Sequence, residues 1–138
     1  MYKKALKFAI EAHKGQTREG TNIPYIAHPI RVSQVFQDDL EKTVAVLHDI
    51  VEDTDITLQD LEIEFYHYKD SFILTNVIDH LSRRKDEKYF DYIERLCANE
   101  LAIKIKIADV VDNLSDRSCE QEDSMIDRYN KTLIKLSE

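Results

Sequence analysis

Thr43-Val44-Ala45-Val46-Leu47-His48-Asp49-Ile50-Val51-Glu52-Asp53 is an apolar run that ends in one imidazole and three carboxylates within six residues. The apolar half predicts a buried helix, and the spacing carries it over residues 41–53. Side chains four apart share a helix face, which stands His48 above Glu52 and Asp49 above Asp53. Ionisable groups on an apolar helix are costly to desolvate without a partner. Carboxylates near a helix C-terminus also oppose its dipole, so a solvated acidic helix end explains the run poorly. A bound divalent cation compensates for both costs. Two further candidates lie far away: His28, between Ala27 and Pro29, and Asp109, after the apolar run 103–108. His28, His48, Asp49 and Asp109 make a proposed two-His, two-Asp metal site suited to Mn, Fe, Zn or a related divalent ion. Glu52 and Asp53 are spare carboxylates beside it.

Helical spacing continues on both sides of the run. Helices are expected over residues 2–13, 29–37, 58–66, 71–81, 89–98, 100–115 and 122–136. Pro29 suits a first helical turn, and Thr57 with Asp60 resembles an N-terminal capping box. The alternation Ala102-Ile103-Lys104-Ile105-Lys106-Ile107 could be a strand, but no second strand is present to pair it. The fold expected is all-α. Residues 15–28 form the one long irregular segment, holding Gly15, Gly20 and Pro24; such loops are often functional. That loop follows no strand and matches neither a Walker nor a Rossmann pattern.

The chain has 138 residues, which is expected to form a single domain over 1–138 with one real core. Two glycines and two prolines favour helices over a turn-rich β fold. Cys97 and Cys119 are too few for a disulfide framework and read as reduced thiols of a cytoplasmic protein. The N-terminal stretch is charged and has no leader-like apolar region, and no run approaches the ~20 residues that span a bilayer. A net charge of −8 argues against a nucleic-acid surface, but not against a small anionic ligand held by a metal and local cations. A membrane partner is not expected. Helical faces bearing Tyr and Ile leave room for a homo-oligomer.

Other polar residues have plainer readings. Asp109 and Asn113 share a helix face with Asp112 and Asp116 close by, and Asp116 reads as solvated. His13, His67 and His80 read as surface or capping residues. Arg83-Arg84-Lys85 suits either a phosphate or a solvated loop. Tyr89 and Tyr92 read as core.

Four blocks together resemble the HD-domain phosphohydrolases, and within them the alarmone (ppGpp) hydrolase branch with its RelA/SpoT-type and small stand-alone members. They are Ala12-His13-Lys14-Gly15-Gln16-Thr17-Arg18, Pro24-Tyr25-Ile26-Ala27-His28-Pro29, Leu47-His48-Asp49-Ile50-Val51-Glu52-Asp53-Thr54, and Ile105-Lys106-Ile107-Ala108-Asp109 with Asn113-Leu114. The resemblance implies an HD-domain helical bundle with one Mn²⁺ held by His28, His48, Asp49 and Asp109. It implies that Glu52 and Asp53 position or activate the attacking water, that Arg18 contacts substrate and that Asn113 lines the nucleotide pocket. The implied reaction, one of the stringent response, removes the 3′-pyrophosphate of guanosine tetra- or pentaphosphate. In one departure Glu19 follows Arg18 where the family usually has Lys. In another the segment 81–100 is compact, as in the short HD proteins grouped with alarmone hydrolases. Two alternatives stand beside this reading: a phosphohydrolase of another nucleotide, and a catalytically silent nucleotide-binding module.

Overall fold

The computed structural model describes residues 1–116 and 121–138, and among these the regular elements are all helices. The first, α1 (Tyr2–Ala12), buries Ala5 and Ala9. Beyond it Gly15 turns the chain at φ +85°, a left-handed conformation that costs glycine little. The irregular segment then doubles back on itself. Arg18 N–H donates to Ile23 O (2.8 Å) and Tyr25 N–H to Gln16 O (2.9 Å), with Gly20 at φ +75° at the tip. Next, α2 (Ala27–Gln34) carries Pro29 in its first turn, where the missing N–H breaks no helical bond.

The run that opens the sequence forms two helices rather than the one expected. α3 (Asp39–Leu47) is capped by Asp38, whose side chain accepts from Glu41 N–H, and it buries Thr43 to Leu47 throughout. It stops because His48 Nδ1–H donates to Ala45 O at 2.6 Å, taking the carbonyl that Asp49 N–H would use in a continuing helix. Asp49 turns aside at φ −98°, and α4 (Ile50–Asp53) resumes for a single turn. His48 and Asp49 are therefore presented from a bend, not from the flank of a rod.

The next two helices are α5 (Leu58–Phe65) and α6 (Ser71–Leu81). α5 carries the complete Thr57/Asp60 capping box, and α6 has the bounds its spacing predicts. After the loop 82–88 come α7 (Tyr89–Leu96) and α8 (Glu100–Ser115), the latter capped by Asn99. The ambiguous alternation is part of α8, where Ala102, Ile105 and Ala108 point into the core. The last helix is α9 (Asp123–Leu136).

α3 is the central helix, packed against α1, α2, α6 and α8. Val44, Leu47, Leu61, Phe65, Leu74, Ile78, Ile93 and Ile105 are fully buried around it, each such side chain contributing about 1.5–3 kcal/mol. Because α2 and α8 both pack on α3, and on each other, residues 28, 48, 49 and 109 arrive at one place. Cys97 is a half-buried free thiol, and Cys119 lies outside the described residues. Among the described residues no helix is long and apolar enough to cross a membrane.

Candidate metal centre

One potential ligand atom from each of His28, His48, Asp49 and Asp109 lies within 4.8 Å of every other. The second nitrogen of each imidazole is committed outward. His28 Nδ1–H donates to Asp112 Oδ2 (2.6 Å), and His48 Nδ1–H donates to Ala45 O. This is the outer hydrogen bond that fixes a ligating histidine. It turns both Nε2 atoms inward, onto carboxylate oxygens. His28 Nε2 lies 2.9 Å from Asp109 Oδ1, and His48 Nε2 lies 3.1 Å from Asp49 Oδ2 and 3.3 Å from Asp109 Oδ1. Each Nε2–carboxylate contact needs a cation between the two atoms, a proton when the site holds no metal and a metal ion otherwise. Two imidazoles with two carboxylates are a donor set that fits a divalent metal.

The charges around this centre are tightly matched. Burial alone pulls both imidazoles down, but Asp49, Asp109 and, for His28, Asp112 outweigh it and hold both above the ordinary histidine value. Burial works against Asp109 too, yet Lys106 and His48 hold its carboxyl well below the usual range. Lys106 Nζ donates to Asp109 Oδ2 at 2.8 Å, and the Tyr25 hydroxyl donates to Asp49 Oδ2 at 2.5 Å. Farther out, Asp112 also accepts from Arg31 Nε (2.8 Å), and Asp116 pairs with both Arg31 and Arg18.

Glu52 and Asp53 share the wall of a cavity of about 240 Å³ with His28, Asp49 and Asp109, the last two in contact with His48. Both keep solvent contact. Partial burial and the charge of Asp49 nonetheless push both carboxyls up. Glu52 Oε1 accepts from Arg83 N–H at 2.5 Å. Arg18 and Asn113 line the same cavity, joined by Arg18 Nη2–H donating to Asn113 Oδ1 at 2.5 Å. A second cavity of about 1040 Å³ shares Arg18, Tyr25, Asp53, Asn113, Met125 and Tyr129 with the first, and adds the loop from Gln16 to Gly20.

All eight residues singled out from the sequence thus meet at one place. Other expectations change. Asp116 is not a solvated residue, since its side chain is 7 % exposed between two arginines. His13 is buried, not on the surface: it bonds Gln16, whose amide donates to the Asp53 carbonyl (2.7 Å). Tyr92 is in the core and Tyr89 packs half-buried against it, as expected, and both also line the cavity. Within the basic run, Arg83 reaches the cavity while Arg84 pairs with Asp79. The sequence reading passed over Tyr25, Arg31, Lys106 and Arg128. Of these, Tyr25 and Lys106 stand in the blocks that carry the resemblance, three residues before His28 and Asp109, while Arg31 and Arg128 left no such signal.

No protein-family profile matches the chain. It is 36% identical over 122 residues to the guanosine-3′,5′-bis(diphosphate) 3′-pyrophosphohydrolase MESH1 of Danio rerio, covering 80% of this chain and 66% of that protein. It is 32% identical over 123 residues to MESH1 of Drosophila melanogaster, covering 83% and 68%. It is 34% identical over 118 residues to the guanosine-3′,5′-bis(diphosphate) 3′-pyrophosphohydrolase of Vibrio cholerae, covering 80% of this chain and 16% of that protein. The chain spans about two thirds of the length of the two animal relatives and a small part of the bacterial one. Among solved structures it resembles that of a metazoan ortholog of SpoT that hydrolyzes ppGpp. The TM-score is 0.79 at 26% identity, over 98% of this chain and 82% of that one.

Proposed function

The chain belongs to the guanosine-3′,5′-bis(diphosphate) 3′-pyrophosphohydrolase family, and from that premise we propose that it removes the 3′-pyrophosphate of guanosine tetra- or pentaphosphate by metal-dependent hydrolysis. In this reading residues 1–138 work as one HD phosphohydrolase domain, in the cytoplasm, on a small nucleotide. The observation that carries it is the convergence of His28, His48, Asp49 and Asp109 at the wall of the cavity that holds the Glu52–Asp53 pair.

The four convergent side chains would hold the metal, proposed to be Mn²⁺. When bound, it supplies Lewis acidity that polarises a phosphoryl oxygen and acidifies a water. Glu52 is anchored through Oε1 by Arg83 N–H and offers Oε2 to orient the attacking water. Asp53, made more basic by burial and by Asp49, takes the proton at a carboxylate oxygen. Water adds to the 3′-phosphorus, the bond from phosphorus to the nucleoside 3′-oxygen breaks, and that oxygen leaves with the proton that Asp53 took from the water. Arg18, steadied by Asn113 and Asp116, stabilises charge on the phosphoryl oxygens. Asn113 lines the nucleoside side, where the two cavities join.

Phosphorus NMR of the protein with Mn²⁺ and ppGpp, beside an EDTA-treated control, tests this. Metal-dependent appearance of pyrophosphate and GDP is expected; unchanged ppGpp with metal-loaded protein would overturn it. One observation favours a second reading, hydrolysis of another nucleotide: the Glu19 carboxylate lines the larger cavity, where it opposes a heavily phosphorylated ligand. A nucleotide panel separates the two, since the second reading requires preferred turnover of a substrate without a 3′-pyrophosphate.

A further inference from the structure

Arg83, Tyr89 and Arg128 line the small cavity that holds the acidic pair and take no part in the larger one beside it. On the hydrolase reading, a nucleoside seated in the larger cavity would direct its phosphates toward them. The other cations of the small cavity are committed, Lys106 to Asp109 and Arg18 to Asp116 and Asn113. Arg128 is different. Its guanidinium has no hydrogen bond or ion pair among the described residues, and its Nε is buried without a partner. It is held flat against the Tyr89 ring, 3.4 Å from the centroid. One turn along α9, Thr132 Oγ1 lies 3.1 Å from the Tyr89 hydroxyl and steadies that ring.

Arg83 places a second guanidinium 5.6 Å from the centroid of the same ring. Its backbone N–H holds Glu52, so the loop that orients this carboxylate also delivers the cation. Two like charges against one aromatic ring repel, and a buried guanidinium Nε without a partner is costly. In a chain of net charge −8 such an arrangement calls for an anion. Guanidinium groups match phosphate oxygens with paired N–H donors.

We propose that Arg128 and Arg83 bind the distal phosphate of the pyrophosphoryl group being cleaved, and that they select a pyrophosphate over a single phosphate at the scissile position. The proposal rests on the hydrolase reading above and adds to it a cause for the length of the group removed.

The test measures binding by calorimetry for the wild type, Arg128→Gln and Arg83→Gln, with inorganic pyrophosphate and with orthophosphate. The protein is saturated with divalent cation, buffered in excess so that pyrophosphate does not strip the site. The wild type is expected to bind pyrophosphate at least about tenfold more tightly than orthophosphate, as charged hydrogen bonds of this kind allow. Arg128→Gln should cost pyrophosphate about ten- to a hundredfold in affinity and orthophosphate far less. Arg83→Gln, at an exposed side chain, should lower the same ratio by about three- to tenfold, and it decides the matter if Arg128→Gln does not fold. The ratio of turnover on ppGpp to turnover on its 3′-monophosphate analogue should fall in parallel. Equal losses for both anions, or no loss, overturn the proposal. A wild type that prefers pyrophosphate through Arg128 yet does not hydrolyse ppGpp keeps this subsite and removes the substrate reading. Hydrolysis of ppGpp with a pyrophosphate preference that ignores both substitutions does the reverse.

Discussion

On one side of the small cavity His28, His48, Asp49 and Asp109 sit in a lattice of partners that reaches through Asp112 and Lys106 to Arg31 and Asp116. On the other side Arg128 rests on Tyr89 with its Nε unsatisfied, and Arg83 approaches the same ring. The first wall has its orientation set before any ligand arrives, as a metal centre requires. The second keeps donors in reserve, as a group that must recognise an incoming anion does. On the proposed function, this different treatment of charge within one cavity separates the residues that would perform the chemistry from those that would choose what enters.

The comparison breaks most visibly at the ligand set. His48→Ala and Asp109→Ala should each abolish turnover and bring bound metal, counted by elemental analysis, from one per chain to none; full activity with either would dissolve the first wall. Asp53→Ala should retain its metal and lose about 10²–10⁴-fold in kcat. Wild-type turnover in that variant would remove Asp53 from the reaction. Asp112→Asn tests the lattice one step out: it weakens the partner that fixes His28, so metal affinity should fall by about 10–100-fold. The stabilisation by metal, about 2.7 kcal/mol for a free concentration a hundred times Kd, should shrink accordingly in thermal melts.

The smallest effect concerns the loop that carries Arg83. The Arg95 guanidinium beside Glu87 holds its carboxyl down at about 2, and Arg84 N–H adds to this. A carboxyl lowered on folding stabilises the fold above its ordinary value near 4.5, and that contribution disappears as pH falls through about 2. Glu87→Gln should therefore lower Tm at pH 6 and converge with wild type near pH 2. Parallel curves across that range would show that the loop does not depend on this ion pair.

Much of the scaffold could be read before the structure, for local reasons. Ser71–Leu81 and Glu100–Ser115 are long amphipathic or core-crossing segments whose ends are marked by nearby polar residues, and Thr57 with Asp60 marks α5. The break at His48 was hidden, because no glycine or proline announces it. Its cause is a side chain competing for the Ala45 carbonyl. The ligand residues stood out because charges in apolar surroundings need an explanation. Their supports did not: Asp112 and Asp116 meet Arg31 across more than eighty residues, and each alone resembles an ordinary surface charge. Buried His13 was misread since its partners are an amide and an aromatic ring, and Arg128 drew no reading since it sits among polar residues of an amphipathic helix.

The four convergent side chains come from residues 28, 48, 49 and 109, so the centre is spread over most of the order of synthesis. A chain emerging from the ribosome at about 5–20 residues per second has three of the four side chains outside for several seconds before α8 follows. During that interval His28, His48 and Asp49 lack the helix that aligns them. On the proposed function, capture of the ion by all four groups would therefore wait until α8 has been made.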